Sequence, residues 1–211
     1  MSDICASLHK KLGALSKYAF PFDVGTLPHN GIYVLFESGE TGHGTDRIVR
    51  IGTHTGDGQM PSRLQQHFLD ENKDRSIFRK NIGRALLSRE GNLLLQQWEI
   101  DLTSRKARER YAHTIDYAAQ QQIEQRVTRY IQGAFTFTVL PIEEKERRLC
   151  LESALISTIS LCEECGPSGT WLGLFSPKQK IRESGLWQVN ELYKKPLTPC
   201  EWRDLEGTAD T

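Results

Sequence analysis

The chain has 211 residues, 38% of them hydrophobic, and 27 basic against 27 acidic side chains, so its formal charge is zero. That length buries a core without metal or disulfide staples, and the charge balance argues against a protein that coats nucleic acid indiscriminately. No apolar run reaches the roughly 18 residues needed to cross a bilayer, and the first ten residues lack the basic-then-apolar layout of a secretory signal. Five cysteines, an odd number, suit a reducing compartment. A cytoplasmic protein with no membrane partner is expected.

In chain order, Leu8, Leu12 and Leu15 are spaced for an amphipathic helix over residues 5–17, which Pro21, Gly25 and Pro28 end. Gly31-Ile32-Tyr33-Val34-Leu35-Phe36 and Arg47-Ile48-Val49-Arg50-Ile51-Gly52 read as two strands of a hairpin, joined by a loop of Ser, Gly, Glu and Thr. A polar, Gly-rich loop runs to Met60. Pro61 suits a first helical turn, and the helix that follows carries Arg63 and His67, four apart and so on one face. Residues 77–87 put Ile82 and Leu86 on an apolar stripe and Arg79, Lys80 and Arg84 on the other, a basic amphipathic helix. It belongs to a locally basic stretch, Lys73 to Arg110, with ten basic and five acidic side chains.

Residues 93–102 are apolar around Trp98 without a clear period, and helical spacing returns from Thr103 and again after a cap at Asp116. Phe135 to Leu140 alternates as a third strand, stopped by Pro141. Residues 143–161 form the clearest helix, with acidic groups in its first turn. The tail carries Trp171, Phe175, Trp187 and Trp202 among Gly and Pro, which predicts order to about Leu197.

On the 143–161 helix, Leu149, Glu152, Leu155, Ile156 and Ile159 share one stripe, so a carboxylate falls among apolar groups. Such a group needs a cationic partner, an arginine such as Arg63 or Arg50 or a metal ion. Arginine presents a donor fork that matches phosphate, and histidine moves a proton near neutral pH. Tyr33, Arg63, His67 and Glu152 together describe phosphoryl-transfer chemistry. Cys162 and Cys165 make one C-x-x-C, short of the four ligands of a structural zinc; a zinc-containing interaction protein built on them is a separate reading.

Gly31-Ile32-Tyr33, a strand ending Arg50-Ile51-Gly52, the helix Ser62-Arg63-Leu64-Gln65-Gln66-His67-Phe68 and the later Leu151-Glu152-Ser153-Ala154-Leu155-Ile156 resemble the GIY-YIG endonuclease superfamily in order and spacing over about residues 30–160. The resemblance implies an endonuclease acting on phosphodiester bonds in DNA with one Mg2+ or Mn2+. Tyr33 then orients or deprotonates water, Arg63 stabilises phosphate charge, Glu152 holds the metal, and His67 assists at the leaving side. Two positions depart from the pattern. Arg50 stands where the second motif has tyrosine, and the asparagine that follows the metal-binding helix is missing, with Ser168 or Thr170 in its place and Asn190 well beyond. Arg50 either activates Tyr33 or pairs with Glu152, and the second outcome leaves a catalytically inactive DNA-binding or regulatory module. The expected DNA contacts are His54, Arg79, Lys80, Asn81 and Arg84. The fold expected is α+β, a small three-stranded, mainly antiparallel sheet flanked by helices. Its divisions are a lead-in (1–29), the nuclease domain (30–165) with a helical insertion at about 70–132, and a Trp-rich extension (166–211).

Overall fold

Strand β2 (Gly31–Gly42) has both edges paired, antiparallel to β3 (Thr45–Gly52) on one side and to β4 (Phe135–Pro141) on the other. The computed structural model describes residues 2–207. Residues 1 and 208–211, at the outer ends of the two expected extensions, lie outside the described residues. Beyond β4 lies β1 (Tyr18–Ala19), giving the order β1-β4-β2-β3. The expected three-stranded sheet therefore has four strands: two residues carry no readable period, and pairing with β4 alone makes β1 a strand.

The hairpin is also longer than its apolar runs. β2 continues through the polar stretch expected as loop, and the chain reverses at His43 and Gly44, with φ of 51° and 73°. These left-handed conformations are what a tight two-residue hairpin turn requires. Distant partners hold the polar part of β2 in place. Glu37 accepts the indole N–H groups of Trp171 (2.7 Å) and Trp187 (2.8 Å) and the hydroxyl of Tyr130. Glu40 accepts from Arg47 (2.7 Å) and Ser168 N (3.0 Å). Burial still pushes the Glu37 carboxyl above its ordinary range, so the indoles offset only part of its desolvation.

Helices cover both faces of the sheet. On one, Tyr33, Leu35 and Val49 pack with Leu64 and Phe68 of α2 (Met60–Phe68), Phe78 and Ile82 of α3 (Ile77–Arg89), and Val127 and Ile131 of a longer helix after residue 116. α4 (Leu95–Glu99) and α5 (Arg105–Tyr111) come first; α6 (Tyr117–Ala134) is that longer helix, and Asp116 caps it by accepting Ala119 N–H at 2.9 Å, as its sequence predicts. On the other face, Ile32, Val34, Phe36 and Ile48 meet Leu8 and Leu12 of α1 (Ser2–Ala14) and Leu155, Ile156 and Ile159 of α7 (Lys145–Ser160). Full burial of one such side chain contributes about 1.5–3 kcal/mol. Among the described residues, no helix is long and apolar enough to cross a membrane.

After α7 the tail, together with His9 of α1, closes the open edge of β3. Trp187 N–H donates to Val49 C=O (2.8 Å), Ile51 N–H to Gln188 Oε1 (3.1 Å), and Ile48 N–H to His9 Nε2 (3.2 Å). Capping these groups removes a template for strand pairing. The tail adds α8 (Gln179–Ser184) and α9 (Pro199–Gly207), with Trp171, Trp187 and Trp202 buried.

Candidate active site

Tyr33 on β2 stands opposite Gly52 on β3. A Cβ at residue 52 would collide with the Tyr33 hydroxyl, so the strand ending in Ile51-Gly52 needs glycine to admit the phenol. The Tyr33 Oη lies 2.8 Å from His67 Nε2 and accepts Arg50 Nε–H at 3.3 Å. His67 Nδ1 is 2.7 Å from Ser76 Oγ, which also caps α3 by accepting Arg79 N–H at 3.2 Å. Four side chains from β2, β3, α2 and the start of α3 thus form one hydrogen-bonded chain. Tyr33 and His67 have no exposed surface. Burial, reinforced by Arg63, Arg50 and Arg79, holds the His67 imidazole well below its ordinary pKa, so it is neutral. Its place behind Tyr33, away from open space, differs from the leaving-side position expected of it.

In front of this chain is a cleft of about 450 Å³ between β3, α2, α3, α7 and the tail, lined by Arg50, Arg63, Asn81, Glu152, Asn190 and Glu191 among others. Glu152 Oε1 accepts Thr53 N–H at 3.0 Å. Burial raises the pKa of this carboxyl, Arg50 and the Thr53 amide oppose the rise, and Glu191 adds to it. Arg50 does not neutralise Glu152 by direct contact: its Nε–H goes to Tyr33 and its Nη1 donates to Trp187 C=O at 2.5 Å. Arg63 donates to Gln66 Oε1 (3.1 Å) and Arg75 C=O (3.2 Å), and among the described residues it forms no ion pair. Glu191 is already engaged by Ser153 (2.5 Å) and Lys194 (2.7 Å).

The expected basic face of α3 is not open. Arg79, Lys80, Asn81 and Arg84 are all buried. Arg79 forms a forked pair with Glu124 (2.7 and 3.1 Å), Lys80 meets Asp74 (3.1 Å), and Arg84 clasps Glu99 with two 2.6 Å bonds. Helical spacing separates the two sides of α3 correctly, but α4 and α6 cover the side that reads as solvent-facing. Asn81 differs from its neighbours: it lines the cleft, and its buried Nδ2 has no hydrogen-bond partner.

His54 sits beside the cleft in a hollow of about 320 Å³ shared with Thr53, Thr55, Gln59, Ser62, Arg63 and Gln66. Its Nδ1 is 2.6 Å from Gly56 C=O, its buried Nε2 has no partner, and burial lowers its pKa. Ser76, Gln188 and Glu191 were not foreseen as site residues. Asn190, too far along the chain to be placed from sequence, is brought by the tail to the wall that carries Glu152, while Ser168 is bonded to Glu40.

One family model, described as the GIY-YIG domain, matches residues 2–199. No curated protein and no solved structure matches the chain. With nearly the whole chain matched, from α1 through the tail that lines the cleft, this protein belongs to the GIY-YIG family, whose members are generally endonucleases.

Proposed function

We propose that the protein is a divalent-metal-dependent endonuclease hydrolysing phosphodiester bonds in DNA, with its site in the cleft between α2, α3 and α7. The observation that carries this reading is the pairing pattern: Arg63 and Glu152 face one cleft without pairing to each other, and Arg50 is engaged by Tyr33 and Trp187. That leaves Glu152 Oε2 for an ion. A single half-buried carboxylate beside polar walls fits Mg2+ or Mn2+, which keep several waters and take one or two carboxylates plus substrate phosphates. Glu152 would hold the ion, and the ion supplies Lewis-acid neutralisation of charge on the scissile phosphate.

The remaining work falls to the chain's own side chains. Arg63 offers its donor fork to a phosphate oxygen, with the Asn81 and Asn190 amides on the walls beside it and His54 adjacent. Tyr33, buried behind Arg50, would orient or deprotonate the attacking water. In the tautomer that places the His67 proton on Nδ1, toward Ser76, His67 Nε2 accepts a hydrogen bond from the Tyr33 hydroxyl and orients it. A phosphate oxyanion is a stronger acceptor for Arg50 than a neutral phenol, so substrate draws the guanidinium away and exposes Tyr33 to water. His67 therefore acts through Tyr33. Arg79, Lys80 and Arg84 support α3 and stay off the DNA.

A catalytically inactive DNA-binding module of the same fold draws on one observation, the full burial of Tyr33. Nicking of supercoiled plasmid with magnesium separates the two readings. The wild type should nick, and Tyr33→Phe and Glu152→Ala should each slow it by about 10²–10³-fold, the usual cost of one transition-state interaction. Equal rates for all three proteins, or no cleavage by the wild type of duplex, branched or single-stranded DNA, would overturn the enzyme.

A further inference from the structure

Away from the cleft, three elements converge on a cluster that the nuclease chemistry does not use. Cys5 comes from α1, His43 from the β2–β3 turn, and Cys162 and Cys165 from the segment directly after α7. Their ligand atoms all lie within 4.8 Å of one another. We propose that Cys5, His43, Cys162 and Cys165 form a structural zinc site.

The distances fit a tetrahedron. With Zn–S of about 2.3 Å and Zn–N of about 2.0–2.1 Å, its edges are about 3.8 Å between two sulfurs and about 3.6 Å between sulfur and nitrogen. Cys5 Sγ and Cys165 Sγ are 3.6 Å apart, and Cys162 Sγ lies 3.4 Å from His43 Nε2. A disulfide needs about 2.05 Å, and all the cysteines are free thiols. Soft thiolates with one imidazole in a closed four-ligand set select zinc in its structural role, with no position open for substrate.

The neighbouring histidine is excluded as the fourth ligand by its own bonds. His9 Nδ1 sits 3.0 Å from Cys5 C=O and its Nε2 accepts Ile48 N–H, so both nitrogens are occupied. His43 turns Nε2 toward the thiols, 3.4 Å from Cys162 Sγ, and its Nδ1 toward the Glu164 carboxylate, 3.8 Å away. Gly42 belongs to the site by its smallness: a Cβ there would press on Cys165 Cβ at 3.2 Å.

The placement gives the ion a purpose. The hairpin that ends at His43 carries Tyr33 and Arg50, and the helix that leads into Cys162 carries Glu152. An ion joining the two ends, with α1 added through Cys5, fixes the relative setting of the cleft walls.

Metal analysis of the intact chain, purified from zinc-supplemented medium and dialysed against metal-free buffer without chelator, should find about one zinc per chain, as a tight thiolate site requires. Glu152→Ala should keep that zinc, and Cys162→Ser with Cys165→Ser should lose it and lower Tm. Should the cysteine variant not fold, cobalt uptake by the wild type decides: thiolate-to-cobalt charge transfer and tetrahedral ligand-field bands are expected. Less than about a tenth of an equivalent of zinc with no cobalt–thiolate spectrum, or a Cys5–Cys165 disulfide in the purified protein, would overturn the site.

Discussion

The α3 side chains and the cleft side chains use the same residue types in opposite ways. On α3, the charged groups Arg79, Lys80 and Arg84 are buried against Glu124, Asp74 and Glu99. At the cleft, Arg63 and Glu152 face the same space, and neither has an ion-pair partner among the described residues. Charge density alone ranks α3 as the nucleic-acid surface; pairing reverses the ranking. A cation already clasped by a buried carboxylate must break that bond before it can meet a phosphate, whereas one bonded to an amide and a carbonyl exchanges weak partners for a strong one.

Breaking the Arg79–Glu124 pair tests this contrast with the largest expected effect. Arg79→Ala leaves the Glu124 carboxylate buried without its cation, which costs about 3–5 kcal/mol. Burial already raises the Glu124 pKa with Arg79 present. Urea denaturation should show that loss, with DNA affinity per folded molecule unchanged. Weakened DNA affinity at full stability would return α3 to the DNA surface. The converse change is Glu152→Gln, expected to lower kcat by about 10²–10³-fold. Burial makes the Glu152 charge unfavourable in the folded state, so removing it should leave the denaturation midpoint unchanged or raise it. A large loss of stability would make Glu152 a structural residue.

How much of this could be read from the residues depends on the range over which their partners lie. Local and periodic features were legible: the hairpin strands, the Asp116 cap, the alternation of β4 and a lone carboxylate on α7. The order and spacing of those features carry the resemblance to the GIY-YIG superfamily, and it is the resemblance that groups Tyr33, Arg63 and Glu152. Long-range pairing was not legible. Glu37 and Glu40 read as loop because Trp171, Trp187 and Ser168, which satisfy them, are more than a hundred residues away. Arg79 reads as solvated because its partner on α6 is 45 residues away. The C-x-x-C looked incomplete because its other two ligands are Cys5 and His43, one near the start of the chain and one at a turn taken for a loop.

The smallest effect concerns what lies behind the cleft. If His67 is the buried neutral acceptor for Tyr33, it resists protonation while folded and takes a proton readily once unfolded. Its folded pKa is lowered by burial and by Arg63, Arg50 and Arg79, so between the unfolded value, about 6.5, and the lower folded one the unfolded state binds more protons. Stability is complete above that window and falls with decreasing pH inside it, by at most about 1.4 kcal/mol per pH unit for one proton. Urea midpoints at several pH values, for the wild type and for His67→Asn, isolate the term because the other histidines contribute equally to both. The variant should lose less stability on acidification, by close to one proton. Parallel pH profiles would mean that His67 takes a proton as readily in the folded protein as in the unfolded chain, and the Tyr33 hydroxyl would then need another acceptor.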